Sequence, residues 1–204
     1  MKSIIPVWLL ILLCVTLPVQ AQEEAFPRHR GAGILPYTLN AQGEILLLLG
    51  FQDNRGWTCF GGGPKQVSSI KSPAPRWESR KETALRESME EMRFLIPRQR
   101  LARGLESAPV FPHQAQTDDF LTFVMAVEAV DTAPFFSVAI PVDSDYSELS
   151  AVAWIPLKQL LLKASNPAHR VVTPNGRGLW DVFWKGIQPE LSHARSLNRL
   201  FPAP

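Results

Sequence analysis

The stretch that decides the fold is KETALRESMEEM, residues 81–92, where Arg86-Glu87 runs ahead of the adjacent acids Glu90 and Glu91. At about 100° per residue, Glu87, Glu90 and Glu91 share one side of a helix, and Leu85, Met89 and Met92 share the other. The pattern predicts a helix that begins after Pro75 and runs to about Phe94, with Pro97 as the next break. Like charges at this spacing repel, by about 0.2–0.5 kcal/mol per pair. A solvated face with Arg86 paired to Glu82 is the plain explanation. A hard divalent cation is the sharper one, because Mg²⁺ prefers carboxylate oxygens and joins them to substrate phosphates.

Upstream, GAGILPYTL and EILLLLGF read as two strands separated by the turn NAQG, and the run Leu46 to Leu49 implies a strand covered on both faces. NRGWTCF suggests a further short strand that stops at Gly61-Gly62-Gly63. Glycines let backbone N–H groups approach phosphate closely, so Gly62 and Gly63 are candidate ligand-binding residues, with Arg55 and Lys65 flanking them. The Ser-, Pro- and Lys-rich stretch from Pro64 to Pro75 reads as an exposed loop. Downstream, DDFLTFVMAVEAV and AVAWIPL are strand candidates, and Pro156 opens a leucine-rich helix that ends near Lys163. Leu191, Ala194, Leu197 and Phe201 recur at helical spacing and predict a last amphipathic helix. Strands on both sides of a central helix indicate a mixed α/β sandwich.

A chain of 204 residues, 46% apolar and 20% charged, suits one globular domain, expected here over residues 31–204 behind an N-terminal arm at 22–30. A net charge of +2 without a long basic run disfavours bulk nucleic acid as a partner. Lys2, the apolar run Ile4 to Leu17 and Val19-Gln20-Ala21 have the layout of a signal peptide, so residues 1–21 are expected to be cleaved and the mature chain exported, periplasmic or secreted, without stable membrane association. A membrane anchor is the competing reading, but Pro6 and Pro18 bracket a run shorter than the roughly 20 residues a span needs. Cleavage would leave Cys59 as the only cysteine, and the plain reading is a small buried hydrophobe rather than a reactive thiol.

With these features together, the sequence resembles the Nudix hydrolase family. Glu78 stands eight positions before Arg86, as in the family signature, and RESMEEMRF supplies Arg86, Glu87, Glu90, Glu91 and Phe94. GILPY, LLLLGF and Trp57 followed by FGGG look like the approach to the signature, and ELSAVAWIPLKQLL is similar to the family's closing segment, so the likeness covers most of residues 31–163. There are three departures. Fourteen residues separate Gly63 from Glu78 where the signature has five, Ser88 holds an apolar position, and Arg93 replaces the terminal glycine. Arg93 is expected to alter the helix exit, with Leu95 and Pro97 redirecting the chain.

The resemblance implies an α/β/α sandwich around a mixed β-sheet and a divalent-metal-dependent hydrolase that cleaves the pyrophosphate link of a nucleoside diphosphate joined to another moiety. It implies Glu87 and Glu91 as principal ligands of Mg²⁺, or Mn²⁺, Glu90 as a ligand or water-activating group, and Arg86 held by Glu78. It also implies a further carboxylate from a distant loop, for which Glu148 is the candidate and Asp143, Asp145 and Glu128 are competitors. No covalent nucleophile is required. The alternatives are a catalytically inactive Nudix-fold nucleotide-binding module and a structural protein with an incidental acidic helix. His29, His113, His169 and His193 lack metal-ligand spacing, and Tyr37, Phe51 and Phe111 read as core rather than base-stacking residues.

Overall fold

The computed structural model describes residues 29–69, 72–111, 120–137 and 148–202. The expected signal peptide, most of the arm, His113, Asp143 and Asp145 lie outside the described residues. Among those described, no helix is long and apolar enough to cross a membrane.

The first hairpin forms as its pattern predicts. β1 (Gly31–Leu39) and β2 (Ile45–Gln52) pair antiparallel from Tyr37↔Leu47 to Leu39↔Ile45. Asn40 closes the turn, its side-chain oxygen accepting from the N–H groups of Gln42 and Glu44. β2 is covered on both faces: Leu47 and Leu49 enter one core and Leu48 the other, all fully buried. Each such leucine contributes about 1.5–3 kcal/mol of burial.

β1 and β2 diverge beyond this register, and one bent segment fills the gap. β3 (Gly56–Thr58) pairs with β2, and β4 (Phe60–Gly62) crosses to β1 through Ala32↔Gly62 and Ile34↔Phe60. The crossing demands glycine on both strands. A Cβ at Gly33 would lie 2.3 Å from the Phe60 carbonyl oxygen, and one at Gly61 would lie 2.4 Å from Gly33 Cα. β7 (Phe120–Ala126) runs parallel to β1 and β8 (Ala151–Pro156) antiparallel to β2, which makes the sheet mixed.

Helices cover both faces. On one, α1 (Arg80–Glu91) and α2 (Arg98–Leu105) pack over Ile34, Leu48, Phe60 and Phe123. On the other, α3 (Leu157–Ser165), α4 (Asp181–Leu191) and α5 (Ala194–Leu200) pack over Leu35, Leu47, Leu49 and Val124. The expected α/β/α sandwich is present.

Several local expectations need correction. The stretch read as a loop contains a ribbon, β5 (Gln66–Ser69) against β6 (Ser72–Trp77). β6 carries Pro73 and Pro75, and a two-stranded ribbon consists of edge strands, where proline occurs in sheets. α1 starts later than predicted, because Ser79 and Glu82 form a capping box. It also ends earlier, at Glu91: Arg93 and Phe94 take left-handed φ values of 51° and 62°, so the redirection starts there rather than at Leu95 and Pro97. The packed face is Thr83, Ala84, Ser88, Glu91 and Met92, with Leu85 and Met89 only half-buried. α2 and α4 were not anticipated. Leu191 ends α4, and α5 is separate.

Gly33→Ala should cost about 1–3 kcal/mol, as an overpacked crossing. Gly178→Ala meets open space and should change stability by less than about 0.5 kcal/mol. Urea midpoints of the two variants check both values.

Candidate active site

The acid-rich face of α1 is organised by one guanidinium. Arg86 Nε donates to Glu78 Oε1 at 2.8 Å and Nη2 to Glu78 Oε2 at 2.9 Å, a fork on one carboxylate. Nη1 donates to Glu87 Oε1 at 2.7 Å and to Glu90 Oε2 at 3.0 Å, and Nη2 also donates to the Gly63 carbonyl at 2.8 Å. The five N–H groups of arginine thus meet five acceptors, a geometry that lysine cannot reproduce. Burial works against the Arg86 charge, but the bonds to Glu78 and Glu87 outweigh it and hold the guanidinium above its ordinary value. The fork on Glu78 is the one the resemblance implied; the alternative pairing with Glu82 does not form, since Glu82 bonds Arg76 and the Ser79 N–H.

Glu78 is fixed from every side. Besides Arg86, it accepts from the Lys65 N–H at 3.0 Å and the Thr83 hydroxyl at 3.2 Å. Burial alone would raise its carboxyl, and these donors bring it below the usual value. The Glu78 N–H in turn donates to the Lys65 carbonyl at 3.0 Å, so the inserted ribbon is closed at its base and leaves the Glu78-to-Arg86 spacing undisturbed. His29, which the sequence reading set aside, is buried beneath this joint with Nε2 3.0 Å from the Glu78 carbonyl.

β4 brings glycine backbone against the helix acids. The Gly61 N–H donates to Glu91 Oε2 at 2.6 Å. A Cβ at Gly62 would lie 2.6 Å from the Glu87 carboxyl carbon. Ser88, at the signature's apolar position, is fully buried and donates to the Phe60 carbonyl at 3.2 Å, which ties the same helix turn to β4. Gly62 and Gly63 therefore meet the acids and Arg86 from one side, and from the other they line a cavity.

Glu91 is 2% exposed, and burial pushes its carboxyl well above the ordinary range, with the charges of Glu87, Glu148 and Glu90 adding and the Gly61 N–H opposing. Burial likewise raises Glu87, against Arg86. Glu148 is close enough for its charge to act on Glu91, and Gln52 Nε2 lies 3.5 Å from its Oε2. The competitor Glu128 pairs with Arg100 at 2.8 Å on the surface, away from the acids.

Among the described residues, no three acids stand as a ready-made ligand set, and Arg86 bonds both Glu87 and Glu90. The donor chemistry nonetheless fits a hard cation. Glu78, Glu87 and Glu90 share the single guanidinium of Arg86, with Lys65 3.8 Å from Glu90, and Glu91 and Glu148 add two further carboxylates to the same cluster. The buried member, Glu91, has no cationic partner of its own in that cluster and accepts from a neutral N–H.

The cavity, of about 440 Å³, opens beside Gly61, Gly62 and Gly63. Arg30, Arg55 and Lys185 bring positive charge to its wall, and Phe120, Trp180 and Phe183 bring flat apolar surface. The Trp57 N–H donates to the Gly178 carbonyl and the Trp180 N–H to the Trp57 carbonyl, so β3 sets the start of α4 and with it Trp180. Arg55 lies over the Trp180 ring at 5.0 Å. Trp180, Phe183 and Lys185 were not among the residues expected here, although LWDVFWK, residues 179–185, is dense in aromatics. Cys59 also lines the cavity, but burial pushes its thiol up to about 12, so the inert reading holds. Tyr37, Phe51 and Phe111 are core residues.

A profile of the NUDIX domain matches residues 27–176. No curated protein matches the chain. Among solved structures, the chain is similar to the Nudix hydrolase RenU of M. smegmatis, at 15% identity and a TM-score of 0.46, covering 87% of this chain and 90% of that one. It is also similar to a NUDIX hydrolase of Alicyclobacillus acidocaldarius, at 14% identity and a TM-score of 0.44, covering 88% and 99%. A third likeness is to the NUDIX domain of Shewanella oneidensis NrtR complexed with ADP ribose, at 18% identity and a TM-score of 0.35, covering 68% and 79%. The match over residues 27–176 spans well over half of the chain, which therefore belongs to the NUDIX family as a Nudix-type pyrophosphohydrolase.

Proposed function

We propose that the protein is a divalent-metal-dependent hydrolase that opens the diphosphate link of a nucleoside diphosphate joined to another group. The observation that carries this reading is Glu91: a buried carboxylate with three more around it and no cation of its own in the cluster. Glu87, Glu90 and Glu91 would hold Mg²⁺, or Mn²⁺ in its place, which when bound supplies positive charge to phosphate oxygens and acidity to water.

The protein's own groups divide the remaining work. Arg86 orients Glu87 and Glu90, bonds the Gly63 carbonyl beside them, and is itself kept in place by Glu78. Glu148, the exposed member, is the carboxylate available to take a proton from attacking water. The cavity suits the substrate: aromatic surface from Phe120, Trp180 and Phe183 for a base, and Arg30, Arg55 and Lys185 for phosphate charge. Gly62 and Gly63 would let the diphosphate approach between cavity and acids. The partner is accordingly a small nucleoside diphosphate derivative rather than bulk nucleic acid, met in the periplasm or outside the cell once residues 1–21 have directed export.

Incubation of the purified chain with ADP-ribose, NADH, nucleotide sugars, dinucleoside polyphosphates and nucleoside triphosphates should yield two phosphate-bearing products from at least one of them, and only with Mg²⁺ or Mn²⁺. Glu87→Gln and Glu91→Gln should each lower kcat on the order of a hundredfold or more. Thermal stabilisation by a panel member without product would instead mark a binding module. Arg86→Lys should lose the fork and cost about 2–3 kcal/mol of stability.

Stability should move the other way at Glu91. A carboxyl raised on folding contributes stability below its unfolded value and loses it as pH rises through the folded one. Without a divalent cation, Glu91→Gln should therefore raise Tm near neutral pH, by about 2–4 °C per kcal/mol recovered. Added Mg²⁺ should stabilise the unsubstituted chain and not the variant, as differential scanning calorimetry at both conditions would reveal.

A further inference from the structure

The exit of α1 holds two consecutive non-glycine residues in the left-handed region, Arg93 and Phe94. Such a conformation persists only where the surroundings hold it. Arg93 stands where the signature has glycine, so a backbone need alone would select against it. The side chain supplies the reason. Its Nη1 donates to the Phe135 carbonyl at 2.9 Å and its Nη2 to the Leu149 carbonyl at 2.8 Å, while the guanidinium carbon lies 3.8 Å from the centre of the Phe135 ring.

Those two carbonyls lie 42 and 56 residues further along the chain than Arg93. Phe135 is fully buried in a short 3-10 helix, Ala133–Phe136, and Leu149 directly follows Glu148. Leu149 itself is seated on β2, where a Cβ at Gly50 would lie 2.4 Å from its Cδ1. The Ser150 N–H donates to the Phe51 carbonyl at 2.9 Å. The turn that presents Glu148 is therefore gripped by β2 on one side and by Arg93 on the other, and Arg93 leaves α1 only two positions after Glu91.

We infer that Arg93 is a positioning residue: by holding the carbonyls of Phe135 and Leu149 it fixes the 148–150 turn so that the Glu148 carboxylate faces the acids of α1. This rests on the role proposed for Glu148. From the β2 side, Gln52 Nε2 lies 3.5 Å from Glu148 Oε2, which steadies the carboxylate at the end of that grip. A lysine would offer one compact ammonium in place of two separated donors and could not bridge both carbonyls in the same way. The device couples the end of the catalytic helix to the loop that completes the site, in a single side chain.

The test uses the full chain with Arg93→Gly, Arg93→Lys, Glu148→Gln and the pair Arg93→Gly/Glu148→Gln. Hydrogen exchange of peptides covering 148–154, measured without metal, should quicken by at least about tenfold in Arg93→Gly, with α1 unchanged; Arg93→Lys should fall between and serves if the glycine variant does not fold. Unchanged exchange in the lysine and glycine variants would overturn the inference. Mn²⁺ affinity, followed by electron paramagnetic resonance, should weaken roughly tenfold in Arg93→Gly and in Glu148→Gln alike, and the pair should be no weaker than Glu148→Gln alone. Weakening in Glu148→Gln but not in Arg93→Gly, or effects that multiply in the pair, would overturn the role of Arg93 and leave that of Glu148. No weakening in Glu148→Gln, or no Mn²⁺ uptake by the unsubstituted chain, would overturn both.

Discussion

One buried carboxylate sets the terms for the rest of the site. Glu91 is taken out of water by the packing of α1 on β4, and a lone ionised carboxylate in such a place is costly. The glycines of β4 permit the approach that buries it, since side chains there would collide with β1 or with Glu87. The fold thus creates a local excess of negative charge and holds it in a fixed arrangement. A bound divalent cation, as proposed, would offset that excess.

Arg86 manages the same excess without abolishing it. Its bonds to Glu78 run parallel to the fork geometry of a carboxylate pair, whereas Glu87 and Glu90 share one terminal nitrogen. Glu87 and Glu90 are therefore steadied by single contacts, with oxygens left over for another ligand. Glu91 is left to the Gly61 N–H. This division separates an anchoring acid, Glu78, from the three acids proposed to hold the cation. The separation survives an insertion of nine residues because the Lys65 and Glu78 backbones close the inserted ribbon at its base.

The acid cluster was legible because helical periodicity places Glu87, Glu90 and Glu91 together whatever surrounds the helix. The strands β1, β2, β7 and β8 were legible on a different pattern, each being a short apolar run between breakers. What escaped was whatever depends on partners distant in sequence. Ser88 looked like a flaw in an apolar position until the Phe60 carbonyl supplied its acceptor. The packed face of α1 was misjudged because Glu91 and Thr83 are buried by β-sheet contacts that no hydropathy pattern records. α4 was missed through Pro189 near its end, and with it went the aromatic and cationic wall of the cavity. Arg93 was recognised as a departure, but its two carbonyl partners lie 42 and 56 residues away.

The central claim is that the Glu87, Glu90 and Glu91 cluster is a cation cradle. Anomalous diffraction from crystals of the full chain soaked in Mn²⁺ tests it most directly. The account predicts a manganese peak in direct contact with Glu91 and Glu87, with Arg86 still forked on Glu78. A peak elsewhere, or an empty cluster in which Glu91 keeps only its bond to the Gly61 N–H, would contradict it.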